Sequence, residues 1–165
     1  MERSSGLAIL ALLIAIGALG IGVYQLIAPA APAVGIRNTW YKFDYASRNT
    51  NPISTVIIID QLTIDFTVGS GESVYFFFNT WATVDAGVNS YIQLNFVLDG
   101  VVLSGPTYPW WVFRTTGTSI EAPISLQMSL DTVSAGAHNV TISIYGNGVD
   151  NEIFSSTLLV QTYIP

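Results

Sequence analysis

His138 is the chain's only histidine and the single side chain suited to general-base chemistry near neutral pH. A serine triad built on it would need a hydroxyl such as Ser134 and an orienting acid such as Asp131. No nucleophile-elbow motif precedes these residues. We therefore predict that His138 has a structural role and that the protein is not an enzyme.

Oxygen-bearing side chains of a kind that bind Ca²⁺ occur close together near the C-terminal end. They are Asn147, Asp150, Asn151 and Glu152. Their spacing matches no EF-hand, and the neighbouring Gly146 and Gly148 are typical of a turn. The sequence contains no cysteine, which excludes thiolate zinc sites. We predict no metal and no cofactor.

The segment Tyr108-Pro109-Trp110-Trp111 predicts an aromatic loop beside a Gly105-Pro106 turn. Adjacent indole rings can stack on a sugar or fill a pocket of a partner protein. The alternative is that one ring closes the end of the domain. We expect one of Trp110 and Trp111 to be buried and the other to lie at an interface, with a surface glycan or protein as the candidate partner.

Charge is scarce in this sequence. Only 10% of the 165 residues are charged, against roughly a quarter in typical soluble domains. Eleven acidic residues against five basic ones give a formal net charge of −6. Since nucleic-acid binding requires clustered Lys and Arg, this balance excludes a nucleic-acid partner.

Residues 7–28 form an uncharged apolar stretch. As a helix rising ~1.5 Å per residue, it would span the ~30 Å hydrocarbon core of a membrane. We predict an anchor helix in residues 1–28, an Ala/Pro tether in 29–35 and one domain in 36–165. An N-terminal anchor of this kind places the N-terminus inside and the domain outside the cell membrane. Cleavage after Gly6, Ala30 or Ala33 remains open.

Small residues recur along the anchor at spacings of three and four, which places them on one helix face. Because small residues allow membrane helices to approach closely, we predict an oligomer seam along this face. The seam consists of Ala8, Ala11, Ala15, Ala18 and Gly22.

After residue 28, the pattern is that of β-structure. Apolar and polar residues alternate over residues 62–68, 91–98, 124–130 and 139–144, which predicts half-buried strands. Asp99-Gly100 predicts a two-residue hairpin. No convincing amphipathic helix follows the anchor. We predict an all-β antiparallel sandwich.

Several apolar residues fall out of phase with the inward-facing set and are expected on an outer face. Large exposed apolar patches mark interfaces, so we predict an oligomer interface there. These residues are Tyr75, Phe77, Tyr91 and Val97. Asn139 begins the sole Asn-x-Thr triplet and is a candidate glycosylation site.

Three passages resemble the jelly rolls of the tumour-necrosis-factor and complement-globular-head type. They are residues 130–142 (LDTVSAGAHNVTI), 68–76 (VGSGESVYF) and 96–102 (FVLDGVV). The resemblance implies a jelly-roll sandwich that packs as a homotrimer, often presented at a membrane. The N-terminal arrangement, with Trp40-Tyr41 after the apolar helix, also resembles small archaeal surface proteins. The chain lacks the collagen stretch and the disulfides of some relatives, so receptor specificity cannot be transferred.

These observations favour a non-enzymatic, membrane-anchored cell-surface protein. We expect it to oligomerise through the jelly roll for surface architecture or adhesion. One alternative is a pilin-like filament subunit, cleaved after Gly6, with its apolar helix in the filament core. Another is the jelly roll of a viral spike or capsid.

Overall fold

The structure, a computed structural model, describes residues 34–50, 54–87, 89–106, 108–148 and 150–165. The predicted anchor helix, most of the tether and the seam Ala8, Ala11, Ala15, Ala18 and Gly22 lie outside these residues. Within the described ranges, no helix is both long and apolar enough to cross a bilayer. Val34–Pro165 forms one compact unit.

The described part is all-β, as predicted, and contains eleven strands and one 3-10 turn at Asp60–Leu62. The strands are β1 (Gly35–Asp44), β2 (Arg48–Asn49), β3 (Ile57–Ile58), β4 (Ile64–Val68), β5 (Ser73–Val84), β6 (Tyr91–Leu98), β7 (Val101–Val102), β8 (Trp110–Arg114), β9 (Ile120–Leu130), β10 (Gly136–Gly146) and β11 (Glu152–Ile164).

The strands form two antiparallel sheets. Sheet 1 has the order β1-β11-β5-β9, with β2 also paired to β11. Sheet 2 has the order β3-β10-β6-β7, with β4 also on β10 and β8 also on β6. Along the chain, β4, β5, β6, β9, β10 and β11 belong in turn to sheets 2, 1, 2, 1, 2 and 1. This two-sheet arrangement is consistent with a jelly roll.

The core lies between the sheets and is apolar, because alternate residues of each strand point inward. Phe76 of β5 is fully buried, and its ring lies 5.8 Å from Phe66 of β4 and 5.6 Å from Phe96 of β6. Each distance joins an inward ring of sheet 1 to one of sheet 2. The aromatic contacts therefore bridge the two sheets at the centre of the domain.

The predicted hairpin at Asp99-Gly100 is confirmed. Leu98 pairs with Val101, so two residues connect β6 to β7. Asp99 and Gly100 have φ values of 50° and 78°. Positive φ at both central positions is the type I′ turn, which matches the twist of the flanking strands.

The aromatic loop prediction is wrong for Trp110 and Trp111, which belong to strand β8 and pair with Asn95 and Leu94 of β6. Neighbouring residues of a strand point to opposite faces. The two indoles therefore lie on opposite sides of sheet 2.

Candidate functional site

The candidate site is the central part of the outer face of sheet 1, and it is built from four cross-strand rows. Three rows cross all four long strands, and the fourth crosses β11, β5 and β9. The rows are Thr39–Gln161–Tyr75–Ser129, Tyr41–Leu159–Phe77–Gln127, Phe43–Thr157–Asn79–Ser125 and Phe154–Trp81–Pro123. Not one of these side chains is charged. The next row, Glu152–Thr83–Glu121, carries two carboxylates and borders this part of the face.

The rows contain Tyr75 and Phe77, the two residues of β5 that the sequence placed on an outer face. Their inward neighbours Val74, Phe76 and Phe78 are fully buried, whereas Tyr75 and Phe77 are only half-buried. Alternation along β5 therefore fills the core with one set of residues and leaves the other set outside.

Hydrogen bonds between side chains hold the polar part of this face in place. The Tyr75 hydroxyl donates to Oε1 of Gln127 at 2.9 Å, and Asn79 Nδ2 donates to the Ser125 hydroxyl at 2.8 Å. The Ser129 and Tyr163 hydroxyls lie 2.6 Å apart. These bonds orient the side chains before any partner arrives, so less conformational entropy is lost on association.

Aromatic rings in the same rows remain open to solvent. Tyr41 is 74% exposed, Phe43 42% and Trp81 40%. Exposed Tyr, Trp and Phe are enriched in protein interfaces, from whose centres charged residues are depleted. The face has the composition of an interface core.

The two edges of sheet 1 are less suited to pairing than its face. Pro123 lies in the edge strand β9, where it removes a backbone donor. Lys42 lies in the other edge strand, β1, opposite the core residue Leu158. Proline and inward-directed charges of this kind oppose strand addition at an edge. Addition of a further strand is therefore disfavoured at both edges of sheet 1.

The outer face of sheet 2 carries a second, smaller aromatic group. Tyr91 of β6 contacts Tyr145 of β10, with ring centroids 5.9 Å apart. The Arg114 guanidinium carbon lies 5.6 Å from the Tyr91 ring centroid, a cation–π arrangement. Tyr91 is half-buried on an outer face, as its phase in the sequence predicted, but its ring packs against Tyr145 of the same chain.

Two sequence expectations on sheet 2 are corrected. Trp110 and Trp111 are 51% and 47% exposed, so neither ring is the buried plug that was expected. Val97 is only 2% exposed, although its phase is outward. It pairs with Val102 of β7, and the chain then returns beside β6 through a hydrogen bond from Leu103 N to Phe96 O. Val97 also pairs with Thr141 of β10, a contact between distant parts of the chain that alternation does not reveal.

His138 contacts two segments of the chain through its two ring nitrogens. Its Nδ1 lies 2.7 Å from Oδ2 of Asp99, and its Nε2 lies 2.8 Å from the Ser134 carbonyl oxygen. Both partners are acceptors, so both ring nitrogens donate when the imidazole is charged. The other carboxylate oxygen of Asp99 accepts from the Asn139 backbone N–H at 2.9 Å. The pair therefore ties the β6–β7 turn to the start of β10.

This pair makes the stability of the fold depend on pH in two ranges, one near neutral pH and one at acidic pH. The hydrogen bond to Asp99 raises the pKa of His138, against the effect of burial. Burial raises the pKa of Asp99, but the hydrogen bonds from His138 and Asn139 outweigh it and lower the pKa overall. Unfolded values are about 6.5 and 3.9. The His138 contribution is lost as pH rises above about 6.5, and that of Asp99 is lost as pH falls below about 3.9.

We expect the melting temperature to be higher at pH 5.5 than at pH 8.5, as measured by differential scanning calorimetry. In His138→Gln this difference should shrink, because His138 is the only histidine. A wild-type melting temperature that does not fall over this interval would contradict the assignment.

Three of the four side chains considered for Ca²⁺ form hydrogen bonds that close the fold, and the fourth, Asp150, is exposed. Asn147 Oδ1 accepts from Tyr91 N at 2.9 Å, and the carboxylate of Glu152 accepts from the Ser47 hydroxyl. Asn151 is fully buried and bonded on both amide atoms. Across the described ranges, no group of three His, Cys, Asp or Glu side chains is arranged to hold a metal ion. The structure places Asn139 on an exposed position of β10, and its glycosylation stays a prediction.

No protein-family model matches the chain. No curated protein matches it. Solved structures with similar strand arrangements include the CBM36-1 domain of a multidomain xylanase from the hindgut metagenome of Trinervitermes trinervoides, at 8% identity and a TM-score of 0.39 over 74% of this chain and 96% of that one.

Two others come from assemblies. A structure of Bacillus endospore appendages, described as disulfide-linked pili, is 17% identical with a TM-score of 0.34 over 82% of this chain and 96% of that one. The infectious bursal disease virus Gx strain structure is 11% identical with a TM-score of 0.43 over 79% of this chain and 37% of that one. These values describe a likeness in strand arrangement and carry no functional argument.

Proposed function

We propose that this chain is a non-enzymatic, membrane-anchored cell-surface protein whose jelly-roll domain assembles with further copies of itself. The four-row outer face of sheet 1 is the contact surface. The observation that carries the proposal is the combination of exposed aromatic rings with the lack of charge in all four rows. Surface architecture or adhesion is the role that fits such an assembly.

Charge favours a second copy as the occupant of this face. With a formal net charge of −6, two copies repel each other over most of their surfaces. Repulsion is smallest where neither copy has charged groups, and the rows of sheet 1 provide such a region. A partner recognised by its charge would require complementary charges within these four rows, and the rows contain none. The family resemblance adds a homotrimer as the expected stoichiometry.

The apolar stretch at residues 7–28 supports the membrane part of the proposal from the sequence alone. An anchor with the domain outside the cell would hold all copies on one surface. Confinement raises the effective concentration of each copy around its neighbours, so weak contacts suffice for assembly. The seam of small residues would add a helix contact within the bilayer.

We expect both the full-length protein in lipid nanodiscs and a fragment of residues 34–165 to sediment as oligomers. The fragment includes the compact unit with its own core, and so should fold. Analytical ultracentrifugation over micromolar concentrations gives the mass, for which three copies are expected. A monodisperse monomer for both preparations would contradict self-assembly.

The membrane part has a separate test in the mass of the mature protein from its native cell. Met1 at the amino terminus agrees with an uncleaved anchor. Ala31 or Val34 would indicate a secreted protein and contradict anchoring. Leu7 would instead support the filament subunit, because cleavage after Gly6 leaves the apolar helix at the amino terminus.

A further inference from the structure

A groove on the outer face of sheet 2 lies apart from the proposed assembly face. It has a volume of about 400 Å³ and lies where β6 and β8 meet the segment after β7. Volumes of ~300–1,000 Å³ are typical of sites for small ligands. The groove is lined by Gln93, Ser104, Gly105, Pro106 and Trp110.

Aromatic and amide groups meet in this groove because of the strand register. Trp110 pairs with Asn95, and Val112 pairs with Gln93, so Trp110 and Gln93 are diagonal neighbours on one face. The Trp110 side chain is 51% exposed, which leaves its ring accessible. An exposed flat ring thus lies beside a hydrogen-bonding amide.

The Gln93 amide is held by a short hydrogen-bond relay. Gln93 Nε2 donates to Asn95 Oδ1 at 3.0 Å, and Asn95 Nδ2 donates to the Leu103 carbonyl at 3.2 Å. Asn95 is only 3% exposed, so the relay is anchored in the fold. Among the described residues, Gln93 Oε1 and the second Nε2 proton have no partner. An oriented acceptor and an oriented donor are therefore available together.

We propose that this groove binds a neutral pyranose sugar. The C–H face of the sugar ring would lie on the Trp110 indole, while two neighbouring hydroxyls would bond to the Gln93 amide. One hydroxyl would donate to Oε1 and the next would accept from Nε2. Such a ligand matches both halves of the groove, an apolar ring face and an amide edge.

Charge supports a neutral ligand over an acidic one. None of the five lining residues is charged. The nearest basic residue on this part of β8 is Arg114, whose guanidinium lies against the Tyr91 ring. The groove and the sheet 1 face involve different residues on opposite outer sides of the sandwich, so the sugar site does not depend on self-assembly.

The test uses the full-length protein in lipid nanodiscs, labelled with 5-fluorotryptophan and observed by ¹⁹F NMR. The probes are cellotriose, maltotriose and mannotriose, with trigalacturonate as an acidic probe. We expect at least one neutral trisaccharide to shift the Trp110 resonance, with a Kd of about 1 mM or tighter. Trp110→Ala should weaken that binding at least tenfold, as followed by saturation-transfer NMR. Gln93→Met, which keeps the side-chain length, should weaken it severalfold.

Trp111→Ala is the matched control, because Trp111 is similarly exposed but lies on the other side of β8. It should leave sugar binding unchanged. The proposal is overturned if no neutral trisaccharide binds, if trigalacturonate binds more tightly, or if Trp111→Ala weakens binding as much as Trp110→Ala. It is also overturned if Trp110→Ala dissociates the oligomer, since that result assigns Trp110 to a protein interface.

Discussion

Replacing Phe77 with glutamate should convert the assembled domain into monomers. Phe77 lies in the middle of the uncharged face, between Leu159 and Gln127 in its row. Each copy would then bring a carboxylate into the contact, where it loses water without gaining a partner. Leaving a charge buried and unpaired typically costs ~2–5 kcal/mol. We expect the dissociation constant of the fragment 34–165 to rise at least about 100-fold, as measured by sedimentation equilibrium.

Two variants separate a lost contact from a lost fold. Tyr41→Glu changes a residue of the same row that is 74% exposed, so it should weaken assembly while leaving the melting temperature nearly unchanged. Val101→Glu makes a similar apolar-to-acidic change at a 63% exposed position of sheet 2, and should leave assembly intact. Oligomers that persist in both Phe77→Glu and Tyr41→Glu would show that sheet 1 is not the contact surface.

Asn151→Ala should be among the most destabilising single substitutions in the domain. The Asn151 side chain is fully buried and links the ends of three segments. Its Oδ1 accepts from Asp85 N at 2.8 Å and from the Ser90 hydroxyl at 3.0 Å, while Nδ2 donates to the Tyr91 carbonyl at 2.9 Å. Removal of the amide leaves its buried hydrogen-bond partners unsatisfied, and each unsatisfied group costs ~1–3 kcal/mol.

We therefore expect the free energy of unfolding to fall by about 3–4 kcal/mol, and the melting temperature by about 10 °C. Urea denaturation of the fragment 34–165 measures the first quantity. Asn147→Ala is the matched control in the same loop, since Asn147 also bonds twice to the main chain but is exposed. Water can replace its bonds, so the loss should stay below about 1 kcal/mol. Equal losses in both variants would contradict this account.

The strands that could be recognised from the sequence are those in which apolar and polar residues alternate along the segment itself. Ile64, Phe66 and Val68 are buried and the two residues between them are exposed, as the pattern predicted. Tyr75 and Phe77 face outward for the same reason. The Asp99-Gly100 turn was recognisable because its backbone requires two positive φ values, and Asp-Gly is among the few pairs that adopt them readily.

Strand β8 was missed because Pro109 directly precedes it and its two adjacent tryptophans give no alternation of apolar and polar residues. The structure forms it by pairing five residues with β6, which supplies the hydrogen bonds that the segment cannot provide alone. That pairing places Trp110 beside Gln93 and separates it from Trp111. The sugar groove and its matched control both depend on this register.

From its order of residues alone, this protein is determined to be an antiparallel β-sandwich with little charge and outward-facing aromatic residues. Those properties depend on strand periodicity and composition, which are local or additive. Only the tertiary structure decided that four rows across β1, β11, β5 and β9 combine into one uncharged region of sheet 1, and that Asn151 joins three segments of the chain. These features arise from contacts between residues far apart in the chain, and such contacts exist only once the two sheets have paired and packed.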